Sequence, residues 1–148
     1  MSSRADLIAE VFAAMRRLSR EIDALDRRAA DHFGVNGTDL HVIDVLRTSG
    51  PLTASRLARA VGLTSGGLSI ALDRLERVGY VRRSQHPDDR RSVLVEATDA
   101  VAPLEAEMFG ELAERMRALL GTYTRDELTT IRHYLEHAAE ITSAAGAR

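Results

Sequence analysis

The 148-residue sequence contains no cysteine, and all 20 of its basic residues are arginine rather than lysine. The absence of cysteine excludes disulfides, thiolate zinc sites and cysteine-based redox sensing. The absence of lysine excludes mechanisms that need a lysine side chain, including those of the phosphate-loop ATPases. Aromatic residues make up only 4% of the chain, but a hydrophobic content of 45% is enough for the core of a soluble globular protein.

Long apolar runs are also missing from the sequence. No stretch is long enough to span a bilayer, and the first residues lack the apolar segment and cleavage site of a signal peptide. We therefore expect a cytoplasmic protein that makes no membrane contact. The length favours a single domain over residues 1–148.

The arginines are unevenly distributed along the chain. The net charge is −2, but residues 52–95 hold eight arginines and four acidic residues and carry +4, whereas the remainder carries −6. A basic middle between acidic flanks indicates a surface directed at an anion. Ordinary solvated charge is the alternative explanation.

Apolar residues recur at three- and four-residue steps in both terminal regions. They predict one long helix over residues 5–30 and two further helices, one that opens at Thr98 and one that Thr124 caps. Thr124 and Glu127 have the spacing of a capping box. Because such apolar stripes must be covered, we expect segments 5–33 and 98–145 to form the dimerisation region of a two-fold homodimer.

Threonine caps and glycine stops divide the middle of the chain into three helices. The helices are expected over residues 38–48, 54–61 and 64–78. Their expected caps are Thr38, Thr53 and Thr64.

Two β-prone runs, residues 80–83 and 92–96, flank a turn-forming segment and predict a hairpin. Residues 38–97 are therefore expected to form a compact DNA-binding lobe. The predicted fold class is mainly α with a small β-hairpin wing, a winged helix-turn-helix flanked by N- and C-terminal dimerisation helices.

The helix that starts near Thr64 is the expected recognition helix, because the second helix of such a motif enters the major groove by its N-terminal end. That end is small and hydroxylated, and its adjacent Gly66 and Gly67 cost ~2 kcal/mol of helix stability relative to two alanines. Close approach to a phosphate or base edge explains both glycines, and the helix dipole favours a phosphate there. Relief of crowding between the two helices is the alternative.

Several arginines are expected to meet the DNA backbone. Arg74 and Arg77 lie off the apolar face of the recognition helix and can reach flanking phosphates, while Asp73 either holds one of them or is solvated. Arg90 and Arg91 lie at the hairpin tip, from which a guanidinium can enter a narrow A·T-rich minor groove. A polar turn whose charges satisfy one another is the alternative.

Residues 52–98 resemble the winged helix-turn-helix core of the MarR family of bacterial regulators. The most specific matches are segments 72–81 and 86–91, the second of which is followed by the strand that ends in Ala97 and Thr98. The resemblance implies a ligand-responsive repressor that binds a pseudo-palindromic double-stranded operator as a homodimer and uses no cofactor.

The resemblance also implies roles for individual residues. In the family, an aspartate of the wing steadies an arginine two residues on that enters the minor groove. These positions are Asp89 and Arg91 here, with Arg90 as the phosphate contact or in the exchanged role. The complete expected DNA-binding set is Thr53, Thr64, Ser65, Gly66, Gly67, Ser69, Arg74, Arg77, Arg83, Asp89, Arg90 and Arg91. A small aromatic or anionic effector is expected where the dimerisation helices meet the DNA-binding lobe, at Phe12, Met15, Arg16, His41 and Met108.

Two other functions compete with DNA binding. His133 and His137 belong to an H-x-x-E-H pattern like that of inverted zinc peptidases, but Glu140 is the only carboxylate that follows it. We therefore expect no catalytic residue and no enzyme activity. A metal site at the two histidines, completed by His32 or by another subunit, stays an open alternative. The second competitor is a winged helix that binds only protein, which would need neither the glycine pair nor the arginine-tipped wing.

Overall fold

The computed structural model describes residues 2–146. Its elements in chain order are α1 (Arg4–Phe33), α2 (Gly37–Ser49), β1 (Leu52–Thr53), α3 (Ala54–Val61), α4 (Ser65–Arg77), β2 (Val81–Gln85), β3 (Val93–Ala97), α5 (Val101–Leu120) and α6 (Arg125–Gly146). The strands form one antiparallel sheet in the order β1-β3-β2. The predicted fold class, mainly α with a β-hairpin wing, is confirmed.

The chain divides into two compact units, Met1–Met108 and Phe109–Arg148. The first unit holds α1 to α4, the sheet and the start of α5, and the second holds the rest of α5 and α6. Within residues 2–146, every buried apolar side chain lies in the first unit, and the larger of these are Phe33, Val42, Ile43, Leu46, Leu57, Leu68, Leu72, Leu75, Val81, Val95 and Val101. None of the helices described has the length and apolarity needed to cross a bilayer.

Threonine hydroxyls begin three of the helices. Thr53 and Thr64 each accept a hydrogen bond from the backbone N–H three residues on, at 3.4 and 3.0 Å, and so begin α3 and α4 as predicted. At the start of α6, the Thr124 N–H donates to the Glu127 carboxylate at 2.7 Å, and the Glu127 N–H donates to the Thr124 hydroxyl at 3.3 Å. The predicted capping box is confirmed.

The prediction that Thr38 caps α2 is wrong. The cap is Asn36, whose side-chain oxygen accepts from the Asp39 N–H at 2.8 Å. Asparagine is the stronger capping residue of the two, and it lies directly after the turn that ends α1. That helix extends to Phe33, three residues beyond its predicted end, and stops at Gly34 in the left-handed conformation (φ 68°).

The sheet contains a strand that periodicity did not predict. β1 has only two residues, too few to show an alternating pattern, and pairs with β3 through Leu52 opposite Val95. The predicted start of α5 at Thr98 is also wrong, since the helix begins at Val101. The Thr98 hydroxyl instead donates to the Gly79 carbonyl at 2.5 Å and ties the end of β3 to the turn that follows α4.

One ion pair with a buried carboxylate joins α2 to α4. Asp39 is 2% exposed and is the only buried polar residue within 2–146. Its two carboxylate oxygens accept from Nε and Nη2 of Arg74 at 3.0 and 2.7 Å. This bidentate geometry fixes both distance and direction, so it sets the rotation of α4 against α2.

Replacing Asp39 tests how far the fold depends on this pair. We expect Asp39→Ala to lower the free energy of unfolding by about 1–3 kcal/mol, because two charge-assisted hydrogen bonds are lost at a buried position. Chemical denaturation followed by circular dichroism measures the change. Asp44→Ala, at an exposed position of the same helix, is the matched control and should stay within about 0.5 kcal/mol. Equal effects of the two substitutions would contradict the role given to Asp39.

Candidate nucleic-acid interface

Helices α3 and α4 form a helix-turn-helix with a short connection. Gly62 ends α3 in the left-handed conformation (φ 69°), Leu63 follows, and Thr64 caps α4. The buried side of α4 consists of Leu68, Ala71, Leu72 and Leu75. This packing leaves the opposite side of α4 accessible from its first residue onward.

The accessible face of α4 contains most of the residues that were predicted to approach the bases. Ser65, Gly66, Ser69 and Arg77 are exposed, as is the cap Thr64, and Gly67 is half-buried. Four-residue steps place Ser65, Ser69 and Arg77 along one line of the helix, together with Asp73. Ile70, which was not predicted, is exposed on the same face.

The two adjacent glycines have different surroundings. A Cβ atom on Gly66 would have nothing within 4 Å, whereas a Cβ on Gly67 would lie 3.2 Å from the capping oxygen of Thr64 and 3.9 Å from Leu63. Crowding between α3 and α4 therefore does not explain Gly66. At Gly67 the crowding comes from the helix's own cap and the adjacent turn residue.

Two arginines of the predicted DNA-binding set are paired with carboxylates in the structure. Arg74 is bound by Asp39, as described above. Arg83 donates from Nη2 to Asp73 and to Glu76 at 2.6 Å each, and its backbone N–H donates to Glu76 at 3.0 Å. The hydrogen bonds from the side chain and then the backbone of Arg83 lower the pKa of Glu76 below its usual value.

These pairs correct the role predicted for Asp73. Its carboxylate holds neither Arg74 nor Arg77, because it lies against Arg83 of β2 and joins the recognition helix to the wing. The pairing could not be seen in the sequence, since it depends on how β2 folds back along α4. Beside it, Arg82 pairs with Glu96, the residue directly opposite on β3.

The tip of the wing is organised by Asp89. Its carboxylate accepts from the Ser92 hydroxyl at 2.7 Å and from the Arg91 backbone N–H at 3.0 Å. These two hydrogen bonds, together with the nearby His86, lower the pKa of Asp89. Asp89 therefore orders the backbone of Arg91 and not its guanidinium group. At the tip, the Gln85 side chain also donates to the Arg90 carbonyl at 3.1 Å.

Other arginines keep exposed side chains without a carboxylate partner. Among residues 2–146, this group on the lobe comprises Arg56 and Arg59 of α3, Arg77 of α4, and Arg90 and Arg91 of the wing. Arg56 and Arg59 were not predicted as contacts, although both lie in the helix that precedes the recognition helix. These five cations are available to an external anion.

Comparison with known proteins places this arrangement in a family. The model of the MarR family matches residues 35–93. Over 140 residues, the chain is 34% identical to the uncharacterized HTH-type transcriptional regulator YcgE of Bacillus subtilis, with 95% of this chain and 91% of that protein aligned. The chain belongs to the MarR family.

Solved structures agree with the MarR-family fold. The chain is similar to a mutant of MepR from a multidrug-resistant clinical isolate of S. aureus, with a TM-score of 0.72, 19% identity and coverage of 89% of this chain and 96% of that one. It is also similar to NadR in complex with 4-hydroxyphenylacetate, with a TM-score of 0.64, 23% identity and coverage of 95% and 97%. The relatives found for this MarR-family chain are transcriptional regulators and not enzymes.

The residues predicted to bind an effector lie on three helices of the first unit. Phe12, Arg16 and His41 are exposed, and Met15 and Met108 are half-buried. Two cavities of the first unit lie away from these residues. One of about 260 Å³ lies beside Arg74 and Arg77, and one of about 270 Å³ lies beside Arg83. None of the five predicted residues lines either cavity, so an effector site at those positions stays a prediction.

His133 and His137 lie one turn apart on α6, with ring centres separated by 4.1 Å. His137 Nδ1 donates to the His133 carbonyl at 2.9 Å, and Glu136 lies 3.9 Å from Arg132. Within residues 2–146, no three histidine or acidic side chains gather as a metal site would require. Among the described residues the two histidines thus have no third ligand, and the glutamate between them lies beside Arg132.

Alanine substitutions at Gly66 and Gly67 test how each glycine affects the stability of the fold. Gly66→Ala should raise the free energy of unfolding by about 0.5–1 kcal/mol, because alanine favours a helix and its methyl group meets nothing. Gly67→Ala should give less, because the added methyl presses on the Thr64 cap. Thermal and chemical denaturation of the two variants compare the changes. A destabilised Gly66→Ala variant would show that the folded protein itself requires this glycine.

Proposed function

We propose that this MarR-family regulator is a ligand-responsive repressor that binds a pseudo-palindromic double-stranded operator as a homodimer. The observation that carries the proposal is the exposed first half of α4, where Ser65, Gly66 and Ser69 leave the backbone accessible. Exposed arginines without carboxylate partners occur on the same helix, on α3 and on the wing. A recognition helix needs an accessible surface of this kind and cations that hold it against the DNA backbone.

Base edges and phosphates are assigned to different residues in this proposal. The hydroxyl groups of Thr64, Ser65 and Ser69 lie at the end that enters the major groove, where serine and threonine can pair with several base edges. Arg77 and Arg90 contact phosphates and supply the sequence-independent, salt-dependent part of binding.

Several other residues of the predicted DNA-binding set hold the elements of the interface in place. Arg74 and Arg83 hold α4 and the wing in place through their carboxylate partners, and Thr53 begins α3 as its cap. Asp89 orders the wing tip so that Arg91 can enter the minor groove, where a narrow A·T-rich segment attracts a guanidinium group.

The homodimer is supported by apolar side chains that the single chain leaves exposed. On α1 they are Leu7, Ile8, Val11, Phe12, Leu18 and Ile22, and on α5 and α6 they are Leu112, Met116, Leu119, Leu120, Leu135 and Ile141. Exposed apolar side chains that recur along a helix favour an interaction site. A second copy of the chain covers it in the proposed homodimer, and two-fold symmetry then presents two recognition helices to one duplex.

The proposed effector is a small aromatic or anionic compound. Its support is the likeness to NadR, whose structure contains 4-hydroxyphenylacetate. The positions proposed for it remain Phe12, Met15, Arg16, His41 and Met108. An effector that binds the DNA-free form more tightly than the DNA-bound form lowers the affinity for the operator. The size of the decrease is set by the difference between the two effector affinities.

Selection of bound sites from random duplex DNA tests the proposed function. We expect one consensus of two inverted half-sites whose centres are about 34–36 Å apart, or a multiple of that distance. Binding should weaken steeply as salt is raised. Failure to obtain a consensus would contradict sequence-specific binding, and a single half-site would contradict the homodimer. Repression is tested by transcription from a promoter that contains the consensus, where added protein should lower the transcript level.

The wing gives a sharper prediction. Arg91→Ala should weaken operator binding by roughly 1–3 kcal/mol, and the loss should be largest when the sequences under the wing are A·T-rich. Fluorescence anisotropy with A·T-rich and G·C-rich flanks measures the difference. Arg82→Ala is the matched control, because Arg82 is a neighbouring wing arginine already paired with Glu96. Equal losses on both kinds of flank would assign Arg91 to phosphate contact instead.

A further inference from the structure

An isoleucine stands out on the accessible face of α4. Ile70 is 60% exposed, whereas the other apolar side chains of this helix, Leu68, Ala71, Leu72 and Leu75, are at most 2% exposed. Its nearest neighbours along the chain on the accessible side are Ser69 and Asp73. Burial within the described chain therefore does not account for an isoleucine at this position.

The glycines leave the side chain of Ile70 uncovered. A side chain on a helix leans over the turn that precedes it, and for Ile70 that turn contains Gly66 and Gly67. Neither glycine has a side chain to cover the isoleucine, and the space above Gly66 is open for 4 Å. A β-branched side chain in a helix is also held in one strongly preferred rotamer. The methyl groups of Ile70 are thus presented in a fixed place on the side of the turn that contains Gly66 and Gly67.

An apolar group at this place has one matching feature in the major groove. The edges of adenine, guanine and cytosine present hydrogen-bonding groups there, whereas thymine adds a C5-methyl group. Isoleucine cannot pair with a donor or an acceptor, and covering one without replacing its water hydrogen bonds is unfavourable. Contact with a methyl group has no such penalty and removes apolar surface from water.

We propose that Ile70 is a specificity-determining residue that contacts the C5-methyl group of a thymine in each half-site. The proposal rests on the proposed function, since it requires α4 to enter the major groove. This contact distinguishes thymine from the other bases. The serine hydroxyls cannot make that distinction, because serine pairs with more than one kind of base edge.

Replacing thymine by deoxyuridine in the selected operator tests the proposal, because this change removes the methyl group and keeps the base pair. We expect one thymine per half-site at which the replacement weakens binding of the unaltered protein about fourfold. At about 1.4 kcal/mol per tenfold, this corresponds to the ~0.8 kcal/mol of one buried methyl-sized group. Replacement in both half-sites should weaken binding about fifteenfold.

The same titrations with Ile70→Ala complete the test. That variant should bind the thymine and deoxyuridine operators equally well, because the group that contacts the methyl is gone. Val78→Ala, an exposed apolar residue at the other end of α4 (49% exposed), should keep the fourfold difference. Cytosine at the same position should weaken binding, and 5-methylcytosine should recover part of the loss.

The outcomes separate this inference from the proposed function. If no consensus is selected, the proposed function fails. If a consensus is selected but no deoxyuridine replacement weakens binding, or if Ile70→Ala keeps the full deoxyuridine penalty, the role of Ile70 is wrong while the proposed function stands. The deoxyuridine titration of the unaltered protein does not depend on whether any variant folds.

Discussion

The bidentate pair between Asp39 and Arg74 is the constraint on which the accessible surface of α4 depends. The apolar contacts of α4 with the core are non-directional, and a helix held by them alone could rotate or slide by a fraction of a turn. The pair adds two hydrogen bonds of fixed direction at a carboxylate that is nearly excluded from water. A rotation of α4 would break both bonds and leave a buried charge without a partner. The pair lies on the opposite side of the helix and therefore determines which side chains between Ser65 and Arg77 face outward.

The same kind of pairing divides the arginines of the lobe into two groups. Carboxylates on α2, α4 and β3 hold Arg74, Arg82 and Arg83. Arg74 joins α4 to α2, Arg83 joins the wing to α4, and Arg82 joins the two strands of the wing. The unpaired group on α3, α4 and the wing keeps its charge available. The number of arginines in a segment thus overstates the number of cations offered to an external anion, since an arginine beside two carboxylates contributes little to the field at a distance.

Local patterns in the sequence were sufficient to predict α3 and α4, the helices that carry the interface. The threonine caps and glycine stops of α3 and α4 are short-range signals, and the structure has the same limits to within a residue. β1 could not be predicted because two residues show no period, and Asn36 was missed because several polar residues near it can cap a helix. The pair between Asp39 and Arg74 spans 35 residues, and the contacts of Arg83 depend on strand β2 folding back onto α4. Such partners follow from tertiary packing, which leaves no local pattern in one sequence.

The composition of α4 limits how this protein can distinguish DNA sequences. Bidentate recognition of guanine or adenine requires arginine, lysine, asparagine or glutamine, and residues 64–73 contain none of these. Under the proposed function, direct contacts to base edges then contribute a small share of the specificity. The spacing of two half-sites and the shape of the DNA under the wings must contribute a larger share. Because every cation of the protein is an arginine, with a planar group whose orientation matters, this indirect recognition depends on the carboxylates and on the wing-tip aspartate. They decide which guanidinium groups are held within the protein and which remain available to the DNA.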